Sequence, residues 1–316
     1  MTPNARACSQ RFGYPAEPEL LPGPASLGGM SVFHRVWRGA SAATLVVAAA
    51  TSLIISVAPV SAVADPAQPA AIAAPTGPAP AWLVADTVSG RILGAQDAYG
   101  PRAPASTIKA LLAMVVFDQL GLDAVARATP AQTDVECSCV GLVPGQVYTA
   151  RQLLDALLIV SGNDAANMLA DMLGGTPAAV AKMNAKAAAV GARSTRAGSP
   201  SGLDGPGWES VTTPYDLAMI YRAALSYPMF AQILHQSVAP FPDGAGGFKK
   251  IAGHDPNLRS YPGFVGGKTG YTNLAQETYV AIAQRDGRQL IAVMMYGKDD
   301  LWDQGRALLD WGFAQQ

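Results

Sequence analysis

Apolar positions recur along this chain at two periods, and the switches between them lay out its elements. Residues 82–86 and 91–95 are short β-rich runs around Thr87-Val88-Ser89-Gly90, which predicts an opening hairpin. A Pro-rich stretch, residues 100–104, leads into Ser106. Residues 107–120 then read as a helix apolar on most sides, and so buried. Residues 149–160 and 164–173 are amphipathic helices flanking Ser161-Gly162-Asn163. Pro177 sits at the start of an Ala-rich helix that Gly191 ends, and Pro214 starts another that runs to about Leu225. Near the end, residues 278–284 and 289–296 are apolar runs around Asp286-Gly287, a strong hairpin signal. A helix from about Leu301 to Trp311 closes the chain. There is no internal repeat. Strands at both ends with helices between them predict one α+β domain whose sheet joins the two termini.

The first eighty residues follow a different pattern. From Met30 a short basic start is followed by an uncharged apolar run from Gly39 to Val63, ending in Ala62-Val63-Ala64. This predicts a secretory signal over residues 30–64, cut after Ala64. Residues 40–60 are also just long enough to span a bilayer, so an uncleaved N-terminal anchor is the alternative; the Ala-x-Ala ending favours cleavage. Residues 1–29, rich in Pro, Gly and Glu, are odd before a signal, and translation is expected to begin at Met30. Residues 65–80 are an Ala/Pro tract read as a linker, with the folded domain over 81–316. The protein is thus expected to be exported, and either secreted or associated with the cell wall.

Charge and cysteine usage narrow the chemistry. A net charge of −1 offers no basic footprint for nucleic acid. With Cys8 in the doubtful leader, Cys137 and Cys139 remain. Export permits their oxidation, yet an extended Cys-x-Cys holds its Cα atoms near the upper limit of bridging; a disulfide and two free thiols both stay open, with a lean to the disulfide. His235 and His254 show no ligand spacing, so neither metal nor cofactor is expected.

Three strings in fixed order carry the chemistry: Ser106-Thr107-Ile108-Lys109, Ser161-Gly162-Asn163 and Lys268-Thr269-Gly270. A serine hydroxyl attacks only when something takes its proton. Three residues on, at a helix start, Lys109 can lie beside Ser106, and burial plus the charge of Lys268 would lower its pKa enough to make it a base. Ser161 can relay a proton to a leaving amine, and Asn163 can bond a substrate peptide group. Gly266, Gly267 and Gly270 suit an edge strand that another backbone approaches closely. Each string alone is commonplace. The Gly-Gly-Lys-Thr-Gly run is no phosphate loop, because Pro262 stands where that motif needs glycine and strands, not a helix, follow. No Gly-x-Ser-x-Gly elbow occurs, and a histidine triad would have only His235 or His254 to use.

Taken together, residues 104–109, 161–166, 201–207 (Ser-Gly-Leu-Asp-Gly-Pro-Gly), 267–272 and Trp311-Gly312-Phe313 resemble the low-molecular-mass penicillin-binding proteins, the serine D-alanyl-D-alanine carboxypeptidases. The resemblance spans about 81–313. It implies the β-lactamase/transpeptidase-like fold, an antiparallel sheet packed against helices with a helical subdomain. It further implies Ser106 as the acylated nucleophile, Lys109 as base, and Ser161 and Asn163 as the second element. Lys268, Thr269 and Thr272 would hold the substrate carboxylate, and the backbone N–H groups of Ser106 and Tyr271 would form the oxyanion hole. The implied reaction removes terminal D-alanine from peptidoglycan stem peptides, with β-lactams acylating the same serine. Many such relatives carry a second β-rich domain and a C-terminal amphipathic anchor; neither is expected here, nor is an oligomer indicated. Relatives often place an arginine beyond the final strand, where only Lys298 is found.

Two competing readings are a class A-like β-lactamase and a non-catalytic wall-binding module. The former needs a Glu-x-x-x-Asn loop between the second and third strings, where Glu209 is the only Glu and Thr213 stands four residues later. The latter predicts a Ser106 that never acylates.

Overall fold

The two ends of the folded region meet in one sheet. The computed structural model describes residues 73–299 and 301–315. The expected upstream segment 1–29, the signal 30–64 and the first half of the linker lie outside the described residues. In chain order the elements are β1 (Ala81–Asp86), β2 (Ile92–Gln96), a 3₁₀ turn over Ala105–Ile108, and α1 (Lys109–Gln119). Next come β3 (Val125–Arg127), α2 (Pro130–Thr133), β4 (Val147–Thr149), α3 (Ala150–Ile159) and α4 (Asn163–Met172). Then follow α5 (Thr176–Ala189), α6 (Pro214–Ala224), α7 (Pro228–His235), β5 (Val238–Pro242), β6 (Phe248–Ala252) and α8 (Asn257–Ser260). The chain closes with β7 (Phe264–Thr272), β8 (Gln276–Arg285), β9 (Arg288–Gly297) and α9 (Trp302–Ala314).

The main sheet runs β2-β1-β9-β8-β7 with every neighbouring pair antiparallel. β1 pairs with β9 from Ala81↔Met295 to Asp86↔Leu290, which ties the first strand to the last. Both faces of this sheet are covered, so β8 and β9 read as continuous apolar runs rather than alternating ones. Leu83, Val280, Ile282, Ile291 and Val293 face the helical layer. Their neighbours Val84, Tyr279, Ala281, Ala292 and Met294 face α9, packing on Leu308 and Leu309. The expected linker gives up its last residues to this second layer: Ala79 is buried, and its backbone N–H donates to Gln304 Oε1 at 2.9 Å.

α1 runs through the middle of the helical layer. Every residue from Lys109 to Val116 is buried, which is why the sequence there shows no polar face. α3 starts with a reciprocal cap between Thr149 and Gln152, and Val160 ends it just before Ser161. β7 is the sheet edge, as its glycine-rich sequence suggests, and it lies beside the 3₁₀ turn that carries Ser106. Tyr221 ties this turn to the core by donating its buried hydroxyl to Thr107 O at 2.9 Å. Tyr221→Phe removes this bond, and denaturant unfolding should register a loss of about 0.5–1.5 kcal/mol.

Candidate active site

Ser106 is presented by a strained turn. Ala105 has φ of 47°, in the left-handed region that costs a non-glycine residue roughly 1–2 kcal/mol. Gly202, at φ +84°, lies over the turn so closely that a Cβ there would stand 2.0 Å from Ala105 O. The Ser201–Gly207 string therefore has a local role: its glycine lets the loop cover the nucleophile's turn.

The 3₁₀-to-α transition sets Lys109 beneath Ser106. Lys109 Nζ is 2.7 Å from Ser106 Oγ, and it also meets Ser161 O at 2.9 Å, Ser161 Oγ at 3.3 Å and Asn163 Oδ1 at 2.7 Å. The side chain has no solvent exposure. Burial holds its pKa well below the ordinary lysine value; the charge of Lys268 lowers it further, and Asp164 opposes both. Lys268 is pushed down to about 7 by burial. A proton on Lys268 thus disfavours one on Lys109.

Ser161 sits between the two amines. Its φ of 60° turns the chain sharply from α3 into α4 and points the hydroxyl inward. Lys268 Nζ donates to Ser161 Oγ at 2.9 Å and to Thr269 O at 2.7 Å. A continuous polar chain therefore runs Ser106–Lys109–Ser161–Lys268. Ser106, Ser161, Asn163, Thr269, Tyr271 and Thr272 line a cleft of about 520 Å³. Lys268 lines a smaller cavity of about 130 Å³, which shares Ser161 and Thr269 with the cleft.

Two expected substrate contacts are differently engaged. Asn163 spends its amide inside the protein: Oδ1 accepts from Lys109, and Nδ2 donates to Glu136 O at 2.7 Å. Thr272 donates its hydroxyl proton to Asp204 Oδ2 at 2.6 Å and accepts from Ala275 N–H at 3.0 Å. With that proton committed, it does not offer a donor to a carboxylate. Thr269 and Tyr271 are exposed at the cleft. Gly270, between them, comes so near Ser106 that a Cβ would stand 2.6 Å from its backbone nitrogen.

The loop before β4 carries Glu136, which no motif marks, and the two cysteines for which the sequence favours a disulfide. Cys137 and Cys139 form a disulfide, with Cα atoms 4.8 Å apart because the chain bends there instead of extending. Buried Asp164 fastens the end of this loop by accepting from the N–H groups of Val140, Gly141 and Leu142 at 2.8–3.0 Å. Glu209 accepts from Gly207 N–H at 3.1 Å and does not line the cleft, so it is not placed as a deacylating base. Among the described residues, no group of three His, Cys, Asp or Glu side chains could hold a metal.

A profile of the D-alanyl-D-alanine carboxypeptidases matches residues 68–299. The D-alanyl-D-alanine carboxypeptidase DacB2 of Mycobacterium tuberculosis is 54% identical over 243 residues, covering 75% of this chain and 83% of that protein. DacF of Bacillus subtilis, also a D-alanyl-D-alanine carboxypeptidase, is 26% identical over 72% of this chain, which spans only 60% of its length. Among solved structures, a D-alanyl-D-alanine carboxypeptidase from M. tuberculosis shares 52% identity at a TM-score of 0.76, over 79% of this chain and 97% of that one. The Streptomyces K15 DD-transpeptidase shares 27% identity at a TM-score of 0.72, over 77% and 100%.

Proposed function

Since the chain belongs to the D-alanyl-D-alanine carboxypeptidase family, we propose that its three strings divide one acyl transfer between them. The protein is a serine D-alanyl-D-alanine carboxypeptidase that removes the terminal D-alanine of peptidoglycan stem peptides. Ser106 Oγ attacks the carbonyl carbon of the penultimate residue while neutral Lys109 takes its proton. The scissile C–N bond breaks, and Ser161 passes that proton to the leaving D-alanine nitrogen. Water then hydrolyses the Ser106 ester, which restores the hydroxyl and frees the shortened peptide. Thr269 and the charge of Lys268 receive the substrate carboxylate, and the backbone N–H groups of Ser106 and Tyr271 receive the oxyanion. Asn163 acts by orienting Lys109, and Thr272 by tying β7 to the Asp204 loop.

The observation that carries this reading is the 2.7 Å contact between Ser106 Oγ and a fully buried lysine. Burial turns that lysine from a surface cation into a base. Incubation with a defined pentapeptide muropeptide, followed by mass spectrometry, should show loss of one alanine. Release of any other fragment, or of none, contradicts the assignment.

The two lysines set opposite limbs of the pH profile. Lys109 works neutral, so its contribution is present above its lowered pKa and is lost as pH falls through it. Lys268 works charged, so carboxylate binding is present below about 7 and is lost as pH rises through that value. A bell-shaped kcat/KM is expected, with an alkaline limb that moves upward in kcat because the bound carboxylate holds the Lys268 proton. A flat acid limb in acylation would count against Lys109.

β-Lactams are read as acylating Ser106 through the same approach of a carbonyl to the serine and leaving a long-lived adduct. Export by residues 30–64 would place the enzyme with its substrate outside the cytoplasm; the basic start, the apolar run and Ala62-Val63-Ala64 support that placement.

A further inference from the structure

We propose that the Cys137–Cys139 disulfide is a positioning element of the active site: it fixes the two carbonyls that orient Asn163, and its reduction slows acylation of Ser106. The inference rests on the reading of Ser106 and Lys109 given above. Its ground is a set of contacts on either side of the bridge. Asn163 is held at both ends by this loop, its backbone N–H donating to Ser138 O at 2.6 Å and its side-chain Nδ2 to Glu136 O at 2.7 Å. Ser138 lies inside the ring that the disulfide closes, and Glu136 directly precedes it. Ser138 Oγ also donates to Val160 O at 3.1 Å, next to Ser161.

The Glu136 carbonyl decides which way the Asn163 amide faces. With Nδ2 donating to Glu136, Oδ1 is left to accept from Lys109 Nζ. Rotating the amide by half a turn would set an NH₂ donor against the lysine amine and a carbonyl against a carbonyl. Both contacts would be lost together. The bridge removes backbone freedom from residues 137–139, so the carbonyls stay where the amide needs them.

Opening the bridge frees only this part of the loop. Residues 140–142 remain fastened by the Asp164 carboxylate, so the segment stays docked and the core is untouched. Cys137 is exposed and lines the substrate cleft, within reach of a small dithiol. In that step two electrons and two protons pass from the dithiol to the bridge; the protein S–S bond breaks as the reagent closes its own.

The test uses the full chain. Oxidised protein, and protein reduced with dithiothreitol and then desalted without oxygen, are mixed with a fluorescent penicillin over a concentration series. The limiting acylation rate and the half-saturating concentration are read separately. Reduction should lower the limiting rate about tenfold, since a misaligned base costs rate more than binding. The half-saturating concentration and melting temperature should stay unchanged, and reoxidation should restore the rate. Cys137→Ser/Cys139→Ser should match the reduced protein under both conditions, and any reductant effect remaining in it would overturn the proposal. Equal limiting rates in the oxidised and reduced states would overturn it too, as would a rate loss that merely follows a fall in melting temperature. No acylation in either state would instead overturn the Ser106 reading itself.

Discussion

Lys109→Met should lower kcat/KM for D-alanine release by about 10³-fold, within the range a positioned general base supplies. Methionine nearly matches lysine in length and suits a site with no solvent exposure, so the core is retained while the amine is lost. The loss falls on chemistry because the Nζ contact to Ser106 Oγ is the one that takes the proton. Stability should fall by about 1–3 kcal/mol, because the buried Asn163 Oδ1 loses its donor, a loss partly offset as the amine's own desolvation disappears. Steady-state kinetics beside a thermal melt separates the two effects. Activity within tenfold of the parent would mean that another group deprotonates Ser106.

Gly270→Ala is expected to cost about 10²–10³ in kcat, the loss typical of a spoiled oxyanion hole. The added Cβ would meet Ser106 N at 2.6 Å, Thr278 Oγ1 at 2.7 Å and Ala105 Cβ at 3.0 Å. These are backbone and short, packed groups that cannot swing aside. Either β7 withdraws or the 3₁₀ turn shifts, and both movements separate the Ser106 and Tyr271 N–H groups. Gly121→Ala serves as the control: nothing lies within 4 Å of its Cβ and its backbone needs no left-handed geometry. That variant should keep full activity, whereas Gly270→Ala should fold and still acylate slowly.

Much of this site was legible before the structure because its signals are local. Ser106 and Lys109 are three residues apart at a helix start, and the apolar run after them foretold burial. The terminal hairpin announced itself through Asp286-Gly287, and the glycines before Lys268 foretold an edge strand. What stayed hidden depends on partners distant in sequence. The Thr272 hydroxyl is claimed by Asp204, and the Asn163 amide is shared between Lys109 and Glu136, so neither is free in the way the motif suggested. Only the folded chain shows that Lys268 lines a neighbouring cavity and meets the cleft through its bond to Ser161. The β5–β6 hairpin was hidden for a different reason. β5 carries Pro240 and Pro242, which argue against a strand unless it belongs to a small separate sheet, as it does here.

The central claim is that Ser106 is the acylated nucleophile, and mass spectrometry of the penicillin-treated protein tests it most directly. Intact mass should rise by one penicilloyl group, proteolytic mapping should place that group on the peptide containing Ser106, and Ser106→Ala should show no adduct. An adduct on any other residue, or one that persists in Ser106→Ala, would contradict the account.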